Sequence, residues 1–303
     1  MPRSLYTLAA ALLVAAGAST AVAGTPSGPY AVFQHCPYAT NPDAQACVYS
    51  KVTSGSFKMG NASVPISAPI ILQGGVQNAF FQSPFYEAVG APTMSPTPLP
   101  VPGGLLGLVN PAPDWPFPLW VAFWDIVNSV NGVTAISEPA GPAWANFFNA
   151  ASPPETGDAT VVHLPIRVRL NNPFLGSTCY IGSYANPIVL NLVTNTTNPP
   201  PPNLPISGSA GEFTFEITDF PPDGVILHFA DVKLVDNSFA VPAAKGCGNI
   251  ALGLPIITQV LDALVSGAVN LKEGLPAAAG KNTAIMVGNT DIAASIYVQG
   301  SEL

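Results

Sequence analysis

Charge is the scarcest property of this sequence. Lys and Arg number 9 and Asp and Glu number 17, so charged residues make up 9% of the 303 residues, against about 25% in an ordinary soluble domain. The excess of acid gives a formal net charge of −8. Because phosphate groups are bound by clustered Lys and Arg, this composition argues against a nucleic-acid partner. The apolar content of 48% also argues against a disordered chain.

Recognisable catalytic motifs are absent as well. The sequence has no Gly-x-Ser-x-Gly, no Ser-x-x-Lys, no His-Glu-x-x-His and no glycine-rich nucleotide-binding pattern. Its three histidines are scattered and it has no Cys-x-x-Cys pair, so we predict neither a metal nor a cofactor. A hydrolase with a site dispersed along the sequence stays open, because such a site shows only in its geometry. The sequence favours a non-catalytic protein.

The first 23 residues have the layout of an export signal. Arg3 precedes an apolar run from Leu8 to Ala18, and the small-x-small sequence Ala21-Val22-Ala23 follows. This pattern predicts a secretory signal peptide at residues 1–23, cleaved after Ala23. The run is shorter than the ~20 apolar residues that a bilayer requires, so we predict no transmembrane anchor in the mature chain. The predicted location is extracellular, with retention at the cell wall left open.

Four cysteines follow the signal segment, and an even count in an exported chain predicts disulfides. Four cysteines allow three pairings. Proximity in the sequence favours Cys36–Cys47 and Cys179–Cys247. The second bridge would constrain the unfolded chain more strongly than the first, because it closes a longer loop.

Two segments alternate cleanly between apolar and polar residues. In 161–170, the apolar residues at even positions share one face and Arg167 and Arg169 the other, which predicts a half-buried strand. Pro165 lacks an N–H group, so we expect this strand at a sheet edge or at a bulge. In 212–218, the same period predicts a strand with three inward side chains, those of Phe213, Phe215 and Ile217.

Shorter segments complete a mainly β prediction. Antiparallel strands with one solvated face are typical of a β-sandwich or barrel, which we predict as a single domain over 24–303. The other predicted strands are 30–34, 46–53, 56–59, 69–73, 187–193, 224–235, 283–287 and 292–298, the last two joined as a hairpin through 288–291.

Residues from about 83 to 158 form a Pro- and Trp-rich insertion with predicted helical parts. Apolar residues recur at helical spacing in Leu119–Val130, and a second short helix is predicted to begin at Pro142. A third helix is predicted in the C-terminal half, at Pro255–Leu271, with Gly274 as its stop.

All four tryptophans lie in this insertion. Their simplest role is burial against the sheet, since aromatic side chains dominate core energetics. The alternative is that part of the segment stays exposed as an apolar or sugar-stacking surface. On that alternative the candidate ligand-binding residues are Trp115, Trp120, Phe123, Trp124 and Trp144.

Several strings in residues 160–290 occur together in a recognisable combination. They are Leu164-Pro-Ile-Arg-Val-Arg-Leu-Asn-Asn-Pro, Ser177-Thr-Cys-Tyr-Ile-Gly-Ser183, Asn186–Leu192, Asn195–Asn203, Leu234–Pro242 and Gly246-Cys-Gly248. With them the chain resembles a group of uncharacterised secreted proteins of high-G+C Gram-positive bacteria that have no assigned activity. The resemblance implies secretion and carries over no catalytic residue.

These observations predict an exported, non-catalytic protein that acts by surface contact, in a structural, adhesive or binding role at the cell envelope or outside the cell. The main alternative is a carrier of an apolar or lipid-like ligand, held in a cavity between the sheet and the aromatic insertion. A hydrolase is the further alternative. The predicted partners are accordingly a cell-envelope component, an apolar ligand or a glycan, with the oligomeric state left open.

Overall fold

The computed structural model describes residues 24–218, 223–248 and 255–302, with side chains described in the last range from 260 onwards. The predicted signal peptide lies outside the described residues. Within them, 14 antiparallel strands form one hydrogen-bonded network, which confirms the mainly β prediction.

The strands alternate with short helices along the chain. The strands are β1 (Ala46–Met59), β2 (Ala62–Pro65), β3 (Ile70–Val76), β4 (Ser83–Glu87), β5 (Leu99–Pro100), β6 (Thr134–Pro139), β7 (Trp144–Ala145), β8 (Val162–Asn171), β9 (Tyr180–Ile181), β10 (Ile188–Leu192), β11 (Glu212–Thr218), β12 (Gly224–Asp236), β13 (Ala244–Lys245) and β14 (Thr283–Ala294). The α-helices are α1 (Gly104–Leu108), α2 (Phe117–Val130), α3 (Phe148–Ala151), α4 (Pro255–Glu273) and α5 (Ser295–Gly300), and two 3-10 helices span Gly28–Phe33 and Pro37–Ala39.

The network folds into two sheets that face each other. Sheet I runs β11-β12-β14-β1-β3 in space, with β2 beside β1, and sheet II contains β7, β8, β6, β5, β10, β9 and β13. Strand β4 joins them, because it pairs with β3 at one end and with β7 at the other. Val48 and Phe229 of sheet I and Leu164 and Ile166 of sheet II line the same central cavity. The core therefore lies between the sheets, as in a β-sandwich.

The outer face of sheet I carries a second, smaller core. The first 3-10 helix and α5 cover it with Tyr30, Phe33 and Val298, which pack on Ile226 of β12. At the rim of this cluster, the Gly24 amide and the Tyr38 hydroxyl donate hydrogen bonds of 2.9 and 2.6 Å to the two carboxylate oxygens of Glu302. These contacts tie residue 24 to the C-terminal end of the fold.

The two predicted disulfides are confirmed. Cys36 and Cys47 attach the segment before β1 to that strand, and Cys179 and Cys247 join the chain before β9 to the chain after β13. All four cysteines are thereby used.

Strand β8 corrects the expectation drawn from Pro165. The strand lies inside sheet II, with β10 and β9 along one edge and β7 and β6 along the other. Pro165 falls where the pairing with β7 has ended and that with β6 has not begun, and its carbonyl accepts a bond from the Ala140 amide. The missing N–H of Pro165 therefore removes no hydrogen bond between paired strands. The strand needs neither an edge position nor a bulge to accommodate the proline.

Four other local predictions are wrong in whole or in part. Residues 30–33 of the predicted strand 30–34 belong to a 3-10 helix, and residues 295–298 of the predicted strand 292–298 belong to helix α5. The region of Pro142 contains the short strand β7, with helix α3 beginning only at Phe148. The predicted hairpin at 288–291 is instead the middle of β14. This stretch pairs with both β1 and β12, and the two ladders outweigh its turn-forming composition.

The predicted helix at Leu119–Val130 is confirmed as α2, which starts two residues earlier. The helix at Pro255–Leu271 is also confirmed, and Gly274 follows its end with a positive φ of 65°, the usual conformation of a residue that ends a helix. The stretch 83–158 contributes four strands, β4 to β7, and three helices, α1 to α3. Much of the predicted insertion is therefore part of the sheets themselves.

Candidate functional site

Four of the five predicted ligand-binding residues lie together on or beside α2. The ring centroids of Trp115 and Phe123 are 5.8 Å apart, those of Phe123 and Trp124 5.4 Å, and those of Trp124 and Trp120 5.9 Å. Trp115 and Phe123 are buried and also pack on Phe174. These two rings are thus part of the core, whereas Trp120 is 42% exposed.

Trp144 belongs to a different place in the fold. It lies on β7 and stacks on His163 of β8, with ring centroids 5.2 Å apart and planes 4° from parallel. The His163 ring nitrogen Nδ1 is 2.7 Å from the Asn191 side-chain oxygen. The five aromatic residues therefore do not form one site, and their role in ligand binding stays a prediction.

The cavity between the sheets has a volume of about 50 Å³. Its walls are almost wholly apolar, and Phe147 and Ala150 of the insertion contribute to them. Pockets that hold small-molecule ligands measure about 300–1,000 Å³. The enclosed space in this conformation is therefore far smaller than a lipid-like molecule requires.

A more open pocket lies on the outer face of sheet II. Its volume is about 460 Å³. We call it the Arg–Tyr pocket, and its polar and basic lining consists of Arg167, Thr178, Tyr180, Ser183, Asn186 and Lys245. Pro242, Ala243 and Pro276 complete the walls.

Strand pairing places the charged and aromatic residues of this face in rows. Arg169 of β8 lies opposite Tyr180 of β9, and Tyr180 lies opposite Lys245 of β13. In the neighbouring row, Arg167 lies opposite Glu138 of β6. Since residues directly opposite each other share a face of the sheet, these side chains point to the same outer side.

The Arg167 guanidinium contacts two tyrosine rings and a carboxylate. Its guanidinium lies 4.2 Å from the ring centroids of both Tyr180 and Tyr184. Its Nε and one Nη donate to a single Glu138 oxygen at 3.0 and 2.7 Å, while Arg169 Nε donates to the other oxygen at 3.0 Å. Cation–π stacking and two charge-assisted hydrogen bonds restrict the orientation of a guanidinium, so Arg167 reaches the pocket with little freedom to move.

The second disulfide holds the two walls of the pocket together. Cys179 directly precedes Tyr180, and Cys247 lies two residues after Lys245. The Thr178 hydroxyl also donates a 2.9 Å bond to the Gly246 carbonyl across the same gap. A pocket whose walls are cross-linked is preorganised, because little conformational freedom remains to be lost on binding.

Several other titratable groups, His228, Asp236 and Glu273, lie outside the Arg–Tyr pocket. The two ring nitrogens of His228 lie 2.8 Å from Asp291 and 3.3 Å from Glu216, so its neighbours are carboxylates and not a hydroxyl nucleophile. Burial raises the pKa of Asp236, although backbone amides of residues 191 and 238 bond its two oxygens. Burial also raises the pKa of Glu273 to about 7. Within the described parts of the chain, no group of three or more His, Cys, Asp or Glu side chains is arranged so that it could hold a metal ion.

Sequence reasoning identified only part of the Arg–Tyr pocket. The period-two pattern placed Arg167 and Arg169 correctly on an outer face, but it gave no reason to connect them with Lys245, 76 residues after Arg169. The available signal was the disulfide pairing, because Cys179 and Cys247 flank the two segments that form the walls. No sequence pattern located Tyr184, the ring that stacks on Arg167 beside the pocket, because its position depends on the tight turn between Ser183 and Asn186.

Comparison with protein-family models, with characterised proteins and with solved structures finds no match. No helix among the residues described is both long enough and apolar enough to cross a bilayer. The function must therefore be argued from the surfaces of the molecule itself.

Proposed function

We propose that this is an exported, non-catalytic protein that binds an anionic glycan at the cell envelope through the Arg–Tyr pocket. The export part rests on the signal-like residues 1–23 and on two disulfides, which persist in oxidising compartments outside the cytosol. The binding part rests on the outer face of sheet II.

The distribution of positive charge is the observation that carries the proposal. Of the nine Lys and Arg in the chain, Arg3 lies outside the described residues, and three of the other eight are in two adjacent rows of this face. Glu138 is shared by Arg167 and Arg169, so two of the three positive charges are uncompensated there. In an acidic protein, such a basic surface attracts an anionic partner.

The remaining groups suit a sugar polymer. Tyr184 is 68% exposed and presents a ring beside Arg167, and a tyrosine offers a rigid amphipathic surface at low cost in conformational entropy. Hydroxyl and amide groups of Ser183 and Asn186 line the adjoining Arg–Tyr pocket. A flat ring, convergent polar groups and fixed cations together fit sugar residues that carry carboxylate or phosphate groups.

Binding measurements on the chain from residue 24 onwards test this proposal. The probes are polygalacturonate, poly(glycerol phosphate) and neutral dextran, which separate carboxylate from phosphate recognition and both from uncharged sugar. We expect binding to an anionic polymer that weakens as salt rises, because salt screens exposed charges beyond about 10 Å at 0.1 M. Equal binding to dextran, or none to either anionic polymer, contradicts the proposal.

Two variants and one control locate the site. Lys245→Gln and Tyr184→Ala change exposed side chains of this surface, and each is expected to weaken binding about tenfold, which corresponds to ~1.4 kcal/mol. Lys58→Gln removes one exposed charge from β1 of sheet I and is expected to leave the affinity unchanged. A similar loss in the Lys58 variant means that net charge, and not the pocket, drives binding.

A further inference from the structure

Strand β11 is the outermost strand of sheet I in the part of the chain that the structure describes. It pairs with β12 along all seven of its residues without an irregularity. The strand contains neither Lys nor Pro, which are two of the devices by which proteins block an exposed sheet edge. Its free backbone edge is thus a ready template for another strand.

The inner face of β11 is uncovered, which corrects the expectation that its apolar side chains point into the core. Phe213, Phe215 and Ile217 are 45%, 63% and 69% exposed. They continue the face on which Phe229 of β12 and Ile292 of β14 are buried. Sheet I therefore extends past the cover that sheet II provides.

A groove of about 390 Å³ adjoins the uncovered inner face of β11. Phe80, Val225 and Leu227 line it, together with Tyr297 at the base of α5. Phe80 is half-exposed, and Val225 lies directly opposite Ile217. With the three β11 side chains, these residues expose on the order of 500 Å² of apolar surface, since a buried aromatic side chain covers roughly 150–250 Å².

The two glutamates of β11 restrict the register in which a second copy of the strand can pair with this edge. Glu212 and Glu216 alternate with Thr214 and Thr218 on the other face of the strand. If two copies of β11 pair antiparallel about Phe215, all seven residues find partners and each Glu lies opposite a Thr. Moving the axis to Thr214 or to Glu216 sets Glu against Glu, which is destabilising.

We propose that a second copy of this chain docks antiparallel on β11, with Phe215 on the two-fold axis. The two copies of sheet I then form one continuous sheet. In this arrangement Phe213 of each copy lies opposite Ile217 of the other, so the exposed apolar rows lie side by side and contact each other. The pairing is self-complementary, as a two-fold interface requires, and the exposed apolar area is of the same order as the ~800 Å² that each partner buries in a standard interface.

The oligomeric state is measured by analytical ultracentrifugation of the chain from residue 24 onwards. We expect a concentration-dependent dimer. Phe215→Lys puts two positive charges opposite each other on the axis, and we expect it to raise the dimer dissociation constant more than about tenfold, since buried charges without partners are costly. Leu271→Lys changes a side chain that is 87% exposed on α4 and is expected to leave the dimer intact. A chain that stays monomeric at all concentrations overturns the proposal.

Cysteine variants test the register directly. Residues on the axis of an antiparallel pair have Cα atoms about 4.5–5.5 Å apart, within the range of a disulfide. Phe215→Cys is therefore expected to form a covalent dimer on mild oxidation. Ile217→Cys is not, because the two copies of residue 217 would lie about 13 Å apart along the strands. Cross-linking of the Ile217 variant and not of the Phe215 variant overturns this register.

A lipid surface is the alternative partner for the exposed apolar face of β11. Flotation with vesicles of phosphatidylcholine and phosphatidylglycerol distinguishes it from a second copy. We expect no flotation of the dimer. A monomeric chain that floats with these vesicles, and loses this ability in the Phe215→Lys variant, contradicts the proposal and assigns the surface to lipid.

Discussion

β8 and β11 have the same period of two in the sequence, yet they lie in opposite environments. The apolar face of β8 is buried between the sheets, and partner strands line both of its edges. The apolar face of β11 is exposed, and among the described residues only β12 flanks the strand. The alternation specifies which residues share a face, but it carries no information on whether anything covers that face.

The two sheets differ in the same way. Sheet II has a disulfide between its outer segments and a charged network over β8, whereas sheet I is covered on its outer face by the N- and C-terminal segments and open at β11. We expect the loss of stability caused by a substitution to depend on how well the site is covered by neighbouring elements and not on the residue type. Four experiments test that expectation, in order of decreasing effect.

The largest effect is expected from the disulfides. In the loop-entropy model, losing the Cys179–Cys247 bridge of sheet II, with a separation of 68 residues, costs about 4 kcal/mol of unfolding free energy. The Cys36–Cys47 bridge of sheet I, with a separation of 11, is worth about 3 kcal/mol in the same model. Paired Cys→Ala variants in urea unfolding measure both costs. An equal or larger loss at the shorter bridge contradicts the ranking.

Two isoleucines form a matched pair for the next test. Ile166 of β8 is 2% exposed and Ile217 of β11 is 69% exposed. Ile166→Ala is expected to destabilise the fold by about 3 kcal/mol, because it removes buried methyl groups and leaves a cavity. Ile217→Ala is expected to change stability by less than about 0.5 kcal/mol, measured by urea unfolding at concentrations where the chain is monomeric. Similar losses in both variants mean that β11 is covered after all.

Glu273 provides a pH-dependent test at the last residue of α4, whose carbonyl accepts a bond from the Asn61 amide in the turn between β1 and β2. Its helix, α4, is bonded to β13 through Asn270, and burial raises the pKa of its carboxyl from 4.5 to about 7. The folded state then binds the proton more tightly than the unfolded state, so stability is highest below pH 4.5 and falls until about pH 7.

Glu273→Gln is therefore expected to stabilise the chain at pH 8, on the order of 2 kcal/mol, and to remove this pH dependence from thermal unfolding curves. Glu212→Gln on the exposed edge of β11 is the control and is expected to change little. If the Glu273 variant unfolds with the pH dependence of the wild type, another group causes it.

The smallest effect concerns Glu302, at the covered outer face of sheet I. If export removes residues 1–23 as proposed, the Gly24 nitrogen, 2.9 Å from Glu302, becomes an ammonium group. Glu302→Gln is then expected to cost about 1 kcal/mol at pH 6. This cost should shrink above the ordinary α-amine pKa of about 8, because the ammonium loses its charge.

The control for Glu302 is a chain that carries one additional Ala before Gly24, which moves the charge away from the carboxylate. In that chain the substitution is expected to have a smaller effect in the same thermal unfolding assay. An equal cost in both chains means that the charge of the new N-terminus makes no contribution.

Particular residues show how far the sequence could be read. Proximity of the cysteines gave the correct disulfide pairing, and helical spacing located α2 and α4. Turn composition misled at 288–291, because ladders on both sides of β14 hold a segment that would turn if it were alone. The pocket on sheet II depended on Lys245, and its Arg167 depended on stacking with Tyr184. The positions of Lys245 and Tyr184 follow from the disulfide and a tight turn and not from any local pattern.

By itself the sequence determined the fold class, which residues share a face of each strand, and the pairing of the cysteines in disulfides. These follow from local periodicity, from the scarcity of charge and from the number and spacing of the cysteines. Only the tertiary structure decided which apolar faces were covered and which distant cations became neighbours. Coverage and charge clustering depend on the order of strands in space, and contacts between residues far apart in the chain determine that order.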